Sequence, residues 1–155
     1  MIDIQALTGL ASSAFVGLIG AWAGVWFSLK RYRNEKWWEK KTSAYESIIE
    51  ALHKIKRLRT HHLEAAETYR EVPEETARRL RLESNLALEE IQRSIDIGAL
   101  RVSTEAVQRL KQFQSDLVKE NGARDWYSHL EIGYEAAESC IKDLISIAKK
   151  DLKID

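Results

Sequence analysis

The sequence predicts an all-α protein, in which a single N-terminal transmembrane helix continues into a cytoplasmic four-helix bundle. From Ile4 to Leu29 no residue is charged. Between Val25 and Val72 there is neither glycine nor proline, so nothing in that stretch favours a break in a helix. The rest of the chain repeats apolar residues every three or four positions and shows no alternating pattern of useful length, which favours helices over strands.

The uncharged run is long enough for a membrane span. A helix over Ile4–Leu29 is ~39 Å long at about 1.5 Å per residue, and the hydrocarbon layer is ~30 Å thick. Basic residues follow the run from Lys30 onward, and only Met1–Asp3 precede it, so the positive-inside rule places the N-terminus outside. We therefore predict two domains in a single-pass protein of the inner membrane: a transmembrane helix over residues 1–29 and a cytoplasmic bundle over residues 30–155.

Small residues recur at every fourth position of this run, along two ridges of the predicted helix. The first ridge comprises Gly9, Ser13, Gly17 and Ala21, and the second comprises Gly20, Gly24 and Ser28. This spacing lets helix backbones approach closely in lipid, and two ridges provide a contact on each side, as a ring of helices needs. We expect a homo-oligomer that encloses a pore. Two alternatives remain. The helices could form a plain dimer, or the glycines could be present only because glycine is common in transmembrane helices.

The cytoplasmic part of the first helix carries an apolar stripe at i, i+3, i+7 spacing, which predicts one face packed against other helices. Its positions are Tyr45, Ile48, Leu52, Ile55, Arg59, His62, Ala66 and Tyr69, and the polar Arg59 and His62 interrupt it.

Local signals predict three further helices. Pro73 suits the first residue of the second helix, which ends by Gly98. Ser103 is a suitable N-cap for the third helix, which ends at the Asn121-Gly122 dipeptide. The last helix begins at Asp125 and runs almost to the end of the chain.

Charge is balanced overall, with 24 basic and 24 acidic residues, so no global field points to nucleic acid. From Lys30 to Arg59, however, the sequence contains ten basic residues and only four acidic ones. This excess indicates attraction to anionic membrane lipid, and RNA or another acidic cytoplasmic partner is the alternative. The chain has no glycine-rich phosphate loop and no His-Glu-x-x-His pair, and Cys140 is its single cysteine. No cofactor or metal is therefore expected.

Two segments place an arginine five residues before a histidine: Arg57 before His62, and Arg124 before His129. On a helix this offset turns the two side chains apart, unless the segment begins in a loop. The pattern resembles the catalytic motif of HEPN domains, which are dimerising four-helix bundles that cleave RNA. The resemblance implies histidine as the acid or base and arginine on the phosphate. The second copy fits better, because Asp125 supplies the polar residue that follows the arginine. For His62 the alternative is an ordinary hydrogen-bonded position on a helix face.

The whole architecture resembles the small membrane accessory proteins of type VI-B CRISPR systems. That family implies membrane oligomers with a central pore, which strengthen phage defence by compromising the inner membrane. When the motif of that family is transferred to this sequence, Arg124 and His129 match the divergent HEPN motif, and Arg57 and His62 are the second candidates. The predicted function is therefore an oligomeric membrane effector of anti-phage defence. The alternatives are a membrane tether for a cytoplasmic complex and a HEPN-type ribonuclease.

Overall fold

The computed structural model describes residues 4–119 and 122–154, with side chains from residue 24 onward except that of Ala99. Throughout these ranges the regular elements are helical and no strand is present. The elements are α1 (Ile4–Glu67), α2 (Glu74–Ile97), a short 3-10 helix (Gly98–Leu100), α3 (Thr104–Lys119) and α4 (Trp126–Leu152). The predicted all-α class and helical bundle are confirmed.

The predicted transmembrane helix over Ile4–Leu29 is wrong. Among the described residues, no helix is long and apolar enough to cross a membrane. A span needs about 20 consecutive apolar residues. Charged residues occur in α1 from Lys30 onward. The helix does not stop there, because the sequence offers no breaker, and α1 continues to Glu67.

The chain forms two compact units, Met1–Glu39 and Lys40–Asp155. In the first unit, every residue from Gly24 to Glu39 is exposed. In the second unit, each helix buries one stripe in a common core. The largest fully buried side chains are Tyr45, Leu52 and Ile55 of α1, Leu80 and Ile91 of α2, Leu110 and Phe113 of α3, and Cys140 and Leu144 of α4.

The stripe predicted on α1 is confirmed as far as Arg59 and fails beyond it. Arg59 is only 9% exposed, and its guanidinium donates to the Ile55 carbonyl at 3.2 Å. Further along, Ala66 is exposed and Tyr69 is 99% exposed. Tyr69 is exposed because α1 ends at Glu67 and Tyr69 takes the left-handed conformation with φ 50°, so the helical period no longer applies to it. Ala66 lies in α1, one residue before its end.

The ends of the other helices largely follow their capping signals. Asp125 caps α4, because its carboxylate accepts the Ser128 N–H at 2.8 Å. Ser103 caps α3 through the Ala106 N–H at 3.2 Å. Pro73, predicted as the first residue of α2, lies one position before it.

A partly buried polar network joins the start of the bundle to its far end. The Tyr45 hydroxyl donates to Asp151 at 2.7 Å and accepts the Ser103 N–H at 3.1 Å. Lys41 forms a salt bridge to the other oxygen of the same carboxylate at 2.7 Å. A single tyrosine hydroxyl thus connects α1, the residue that caps α3 and the last turn of α4.

Replacing Tyr45 with phenylalanine tests this network. The change leaves the Ser103 N–H and one Asp151 oxygen without their partner, and an unsatisfied buried polar group costs about 1–3 kcal/mol. We expect Tyr45→Phe to lower the free energy of unfolding by that amount, measured by urea denaturation with helical circular dichroism. Tyr69→Phe, at an exposed position, is the control and should stay within about 0.5 kcal/mol of the wild type. Equal stability of the two variants would contradict the network's role.

Candidate functional site

The histidines of the two Arg–His motifs lie beside one tryptophan. The His62 and Trp126 rings meet edge to face, with centroids 5.8 Å apart and planes at 82°. The His129 ring lies nearly parallel to the same indole, at 5.9 Å and 18°. The structure therefore brings His62 and His129 into one aromatic cluster, although they come from opposite ends of the bundle sequence. We call these three residues the His–Trp–His cluster.

The positions of the three rings follow from two helix ends. His62 lies one and a half turns before the end of α1, where the buried stripe leaves the core, and it is half-buried. Trp126 is the first residue of α4, and His129 follows three positions later on the same side of the helix. The Asp125 cap fixes where α4 begins and so fixes both rings. Hydrogen bonds from the Ser128 N–H and hydroxyl hold the pKa of Asp125 below its usual range.

The motif arginines serve other purposes. Arg57 donates to the Glu83 carboxylate at 2.7 Å and so connects α1 to α2. A five-residue offset on a helix separates two side chains by about 140°, so Arg57 and His62 of α1 project in different directions. Arg124 is exposed in the turn that precedes α4.

A groove of about 390 Å³ opens beside the His–Trp–His cluster, between the end of α1 and the start of α2. Two arginines and two glutamates line it together with the rings of His62 and Trp126, over a base of small apolar side chains. The charged members are Arg70, Arg81, Glu71 and Glu74, and the apolar ones are Ala65, Ala66, Val72 and Ala77. Sequence reasoning missed Arg70, Arg81 and Trp126. Arg70 and Arg81 lie outside both motifs, Trp126 occupies a position of the second motif that the pattern does not specify, and only the approach of the helix ends brings the three together.

The surroundings of His62 favour the neutral form of its imidazole. Burial lowers the pKa of its imidazole, and the nearby positive charge of Arg81 and the neighbouring His61 lower it further. A neutral imidazole accepts a proton or a hydrogen bond, so His62 has the protonation state of a general base or an acceptor.

A second candidate surface lies in the first unit. The residues 24–39, which we call the aromatic–basic segment, combine large exposed side chains with positive charge. Its exposed aromatic residues are Trp26, Phe27, Tyr32, Trp37 and Trp38, and its basic residues are Lys30, Arg31, Arg33 and Lys36. The ammonium of Lys30 lies 5.5 Å from the centre of the Trp26 ring. Arg31 pairs with Glu35 at 3.1 Å, and Lys36 pairs with Glu39 at 2.8 Å.

The residues predicted to drive oligomerisation fall mostly outside the described side chains. These are Gly9, Ser13, Gly17, Gly20 and Ala21. At Gly24, an added methyl group would meet no atom within 4 Å. The predicted oligomer therefore stays a prediction.

Neither a metal site nor a reactive thiol emerges from the described part of the chain. Within it, no group of three or more His, Cys, Asp and Glu side chains is placed to hold a metal ion. Cys140 is fully buried, and burial raises the pKa of its thiol to about 12, so it stays protonated and packs as a small core residue.

Comparisons of the chain with protein-family models, with curated proteins and with solved structures found no match. The resemblance to HEPN domains and to the type VI-B accessory proteins therefore stays a prediction.

The protonation of His62 can be measured directly. Removing the Arg81 charge with Arg81→Met should raise the pKa of His62, yet leave it below its usual value, because burial is the larger cause. A pH titration of the imidazole Cε1–H signals by NMR, with His62→Gln for assignment, gives the value. Arg79→Met, which removes a mostly exposed arginine of the same helix, should leave the pKa unchanged.

The lowered pKa of His62 also makes the stability of the folded protein depend on pH. Because the pKa is lower in the folded state than in the unfolded state, His62 favours folding above about pH 6.5, its unfolded value. That contribution is lost as the pH falls through the folded-state pKa. A folded-state pKa at or above the usual value would show that the imidazole is not desolvated.

Proposed function

We propose that this protein binds anionic membrane surfaces through the aromatic–basic segment and holds its helical bundle there. The observation that carries the proposal is the full exposure of residues 24–39. Trp26, Phe27, Tyr32 and Trp37 are each at least half exposed on a helix that carries basic side chains among them. A group of large apolar side chains that are exposed together in one molecule is typical of a surface that a partner covers.

The chemistry of the aromatic–basic segment favours a layer of lipid headgroups as the partner that covers it. Tryptophan and tyrosine concentrate at membrane–water interfaces, because each ring has an apolar body and a polar edge. Each basic residue near an anionic surface contributes about 1 kcal/mol of attraction. The segment holds four basic residues and two acidic ones, Glu35 and Glu39, so its net charge is 4 − 2 = +2.

The distribution of the rings around the helix favours lipid over a partner helix. At about 100° per residue, Trp26 and Trp37 share one face, and Phe27 and Trp38 share a second. Tyr32 lies on a third face. A single partner helix covers one stripe, whereas headgroups that surround the helix contact all three faces.

A tether needs only this binding, whereas the predicted effector must also permeabilise the bilayer. The exposed segment supports binding, and permeabilisation and the role in phage defence stay predictions from the resemblance. The ribonuclease alternative has weaker geometric support, because Arg57 is paired with Glu83 and does not accompany His62.

Vesicle flotation with the full-length protein tests the proposal. We expect the wild type to float with vesicles that contain phosphatidylserine or phosphatidylglycerol and to bind phosphatidylcholine vesicles more weakly. Lys30→Glu with Arg33→Glu should weaken binding to anionic vesicles by more than about tenfold, since two favourable charges are reversed. Trp26→Ala with Trp37→Ala should weaken binding to both kinds of vesicle.

The matched controls make corresponding changes in the bundle: Arg78→Glu with Lys111→Glu reverses two charges, and Leu82→Ala with Leu86→Ala removes exposed apolar surface. These should bind as the wild type does. Loss of binding in the controls alone would refute the assignment to the segment. Release of a trapped dye in the same samples separates the effector from the tether.

A further inference from the structure

The groove beside the His–Trp–His cluster combines a large exposed ring, two guanidinium groups and an open volume. Nothing in membrane binding requires this combination, because the groove lies wholly in the second unit. Its volume, about 390 Å³, is within the range of small-molecule sites.

Trp126 offers a surface for stacking. It is 59% exposed, although it stands at a capped helix start and contacts two imidazole rings. His62 approaches it edge to face and His129 lies parallel to it, so the neighbouring rings hold the indole in place. A fixed, exposed indole is the side chain on which a nucleobase stacks.

The charged residues of the groove specify the rest of the ligand. Arg70 and Arg81 line it, and guanidinium groups bind phosphate oxygens in pairs. Arg81 lies close enough to His62 for its charge to lower the imidazole pKa. Glu71 and Glu74 line the same groove and accept hydrogen bonds from hydroxyl or amino groups.

The balance of these charges disfavours a highly charged ligand. Two arginines and two glutamates sum to zero, so no excess of positive charge balances a triphosphate, whereas a single phosphate needs only the two arginines. A base with an amino group and a ribose with free hydroxyls provide the donors that Glu71 and Glu74 require.

We propose that this groove binds a nucleoside monophosphate unit, with its base on Trp126, its phosphate on Arg70 and Arg81, and its donor groups toward Glu71 and Glu74. The unit comes either from a free mononucleotide or from one residue of an RNA strand, since both present the same base and phosphate.

Calorimetric titration of the full-length protein with adenosine monophosphate, adenosine triphosphate, ribose 5-phosphate and a short oligoadenylate tests the proposal. Adenosine monophosphate should bind more tightly than ribose 5-phosphate, which lacks the base, and more tightly than the triphosphate. The NMR signals of His62 and His129 should shift on addition of the monophosphate. Tighter binding of the oligoadenylate identifies RNA as the source, and tighter binding of the mononucleotide identifies a free metabolite.

Variants separate stacking from charge. Trp126→Ala should weaken binding of the monophosphate about tenfold or more, the usual effect of losing one stacked base. Trp126→Phe keeps an aromatic face and should retain most of the affinity, which guards against a simple loss of folding. Arg81→Met should weaken binding of both the nucleotide and ribose 5-phosphate. Trp37→Ala and Arg79→Met are the controls and should bind as the wild type does.

Two results would overturn the proposal. One is the absence of heat and of His62 or His129 shifts at millimolar adenosine monophosphate. The other is wild-type affinity in folded Trp126→Ala and Arg81→Met proteins, which would place any binding elsewhere. Cleavage of the oligoadenylate, lost in His129→Ala while binding persists, would support the proposal and add a reaction to it.

Discussion

The Asp151 carboxylate holds the bundle in one arrangement. Burial alone would raise its pKa, but the hydrogen bonds from Lys41 and Tyr45 outweigh burial and keep the pKa below its usual range. The carboxylate thus stays charged in a partly buried place, which is tolerable only because both of its oxygens are satisfied. Since Tyr45 also accepts the Ser103 N–H, the position of the α3 cap depends on the same group.

Other ion pairs connect the remaining helix surfaces farther from the core. Arg109 of α3 pairs with Asp143 of α4 at 2.6 Å, and Arg57 connects α1 to α2. Hydrogen bonds from Lys56 and Lys142 are the main causes that lower the pKa of Glu138 to about 2, so this carboxylate stays charged at any physiological pH. These pairs orient helices that the apolar stripes have already brought together. They add specificity more than stability, because exposed ion pairs contribute little.

Much of the bundle could be predicted from the sequence, because a helix that packs against others repeats its apolar residues every three or four positions. Tyr45, Leu52 and Ile55 recur at the spacing that one helix face requires, and they are buried. The caps at Ser103 and Asp125 were predictable for the same reason, since a cap depends on neighbours within three residues. The membrane span could not be predicted in this way, since charge is absent over Ile4–Leu29 and yet no helix among the described residues is long and apolar enough to cross a membrane.

The candidate site depends on contacts that no local pattern records. The Arg–His spacing selected His62 and His129 and paired each with the arginine of its own segment. The structure pairs them with each other instead, through Trp126, because the end of α1 lies beside the start of α4. Arg81 reaches the same place from the second turn of α2. The imidazole of His62, the indole of Trp126 and the nearby guanidinium of Arg81 thus come from three helices, and only the packing of those helices brings them together.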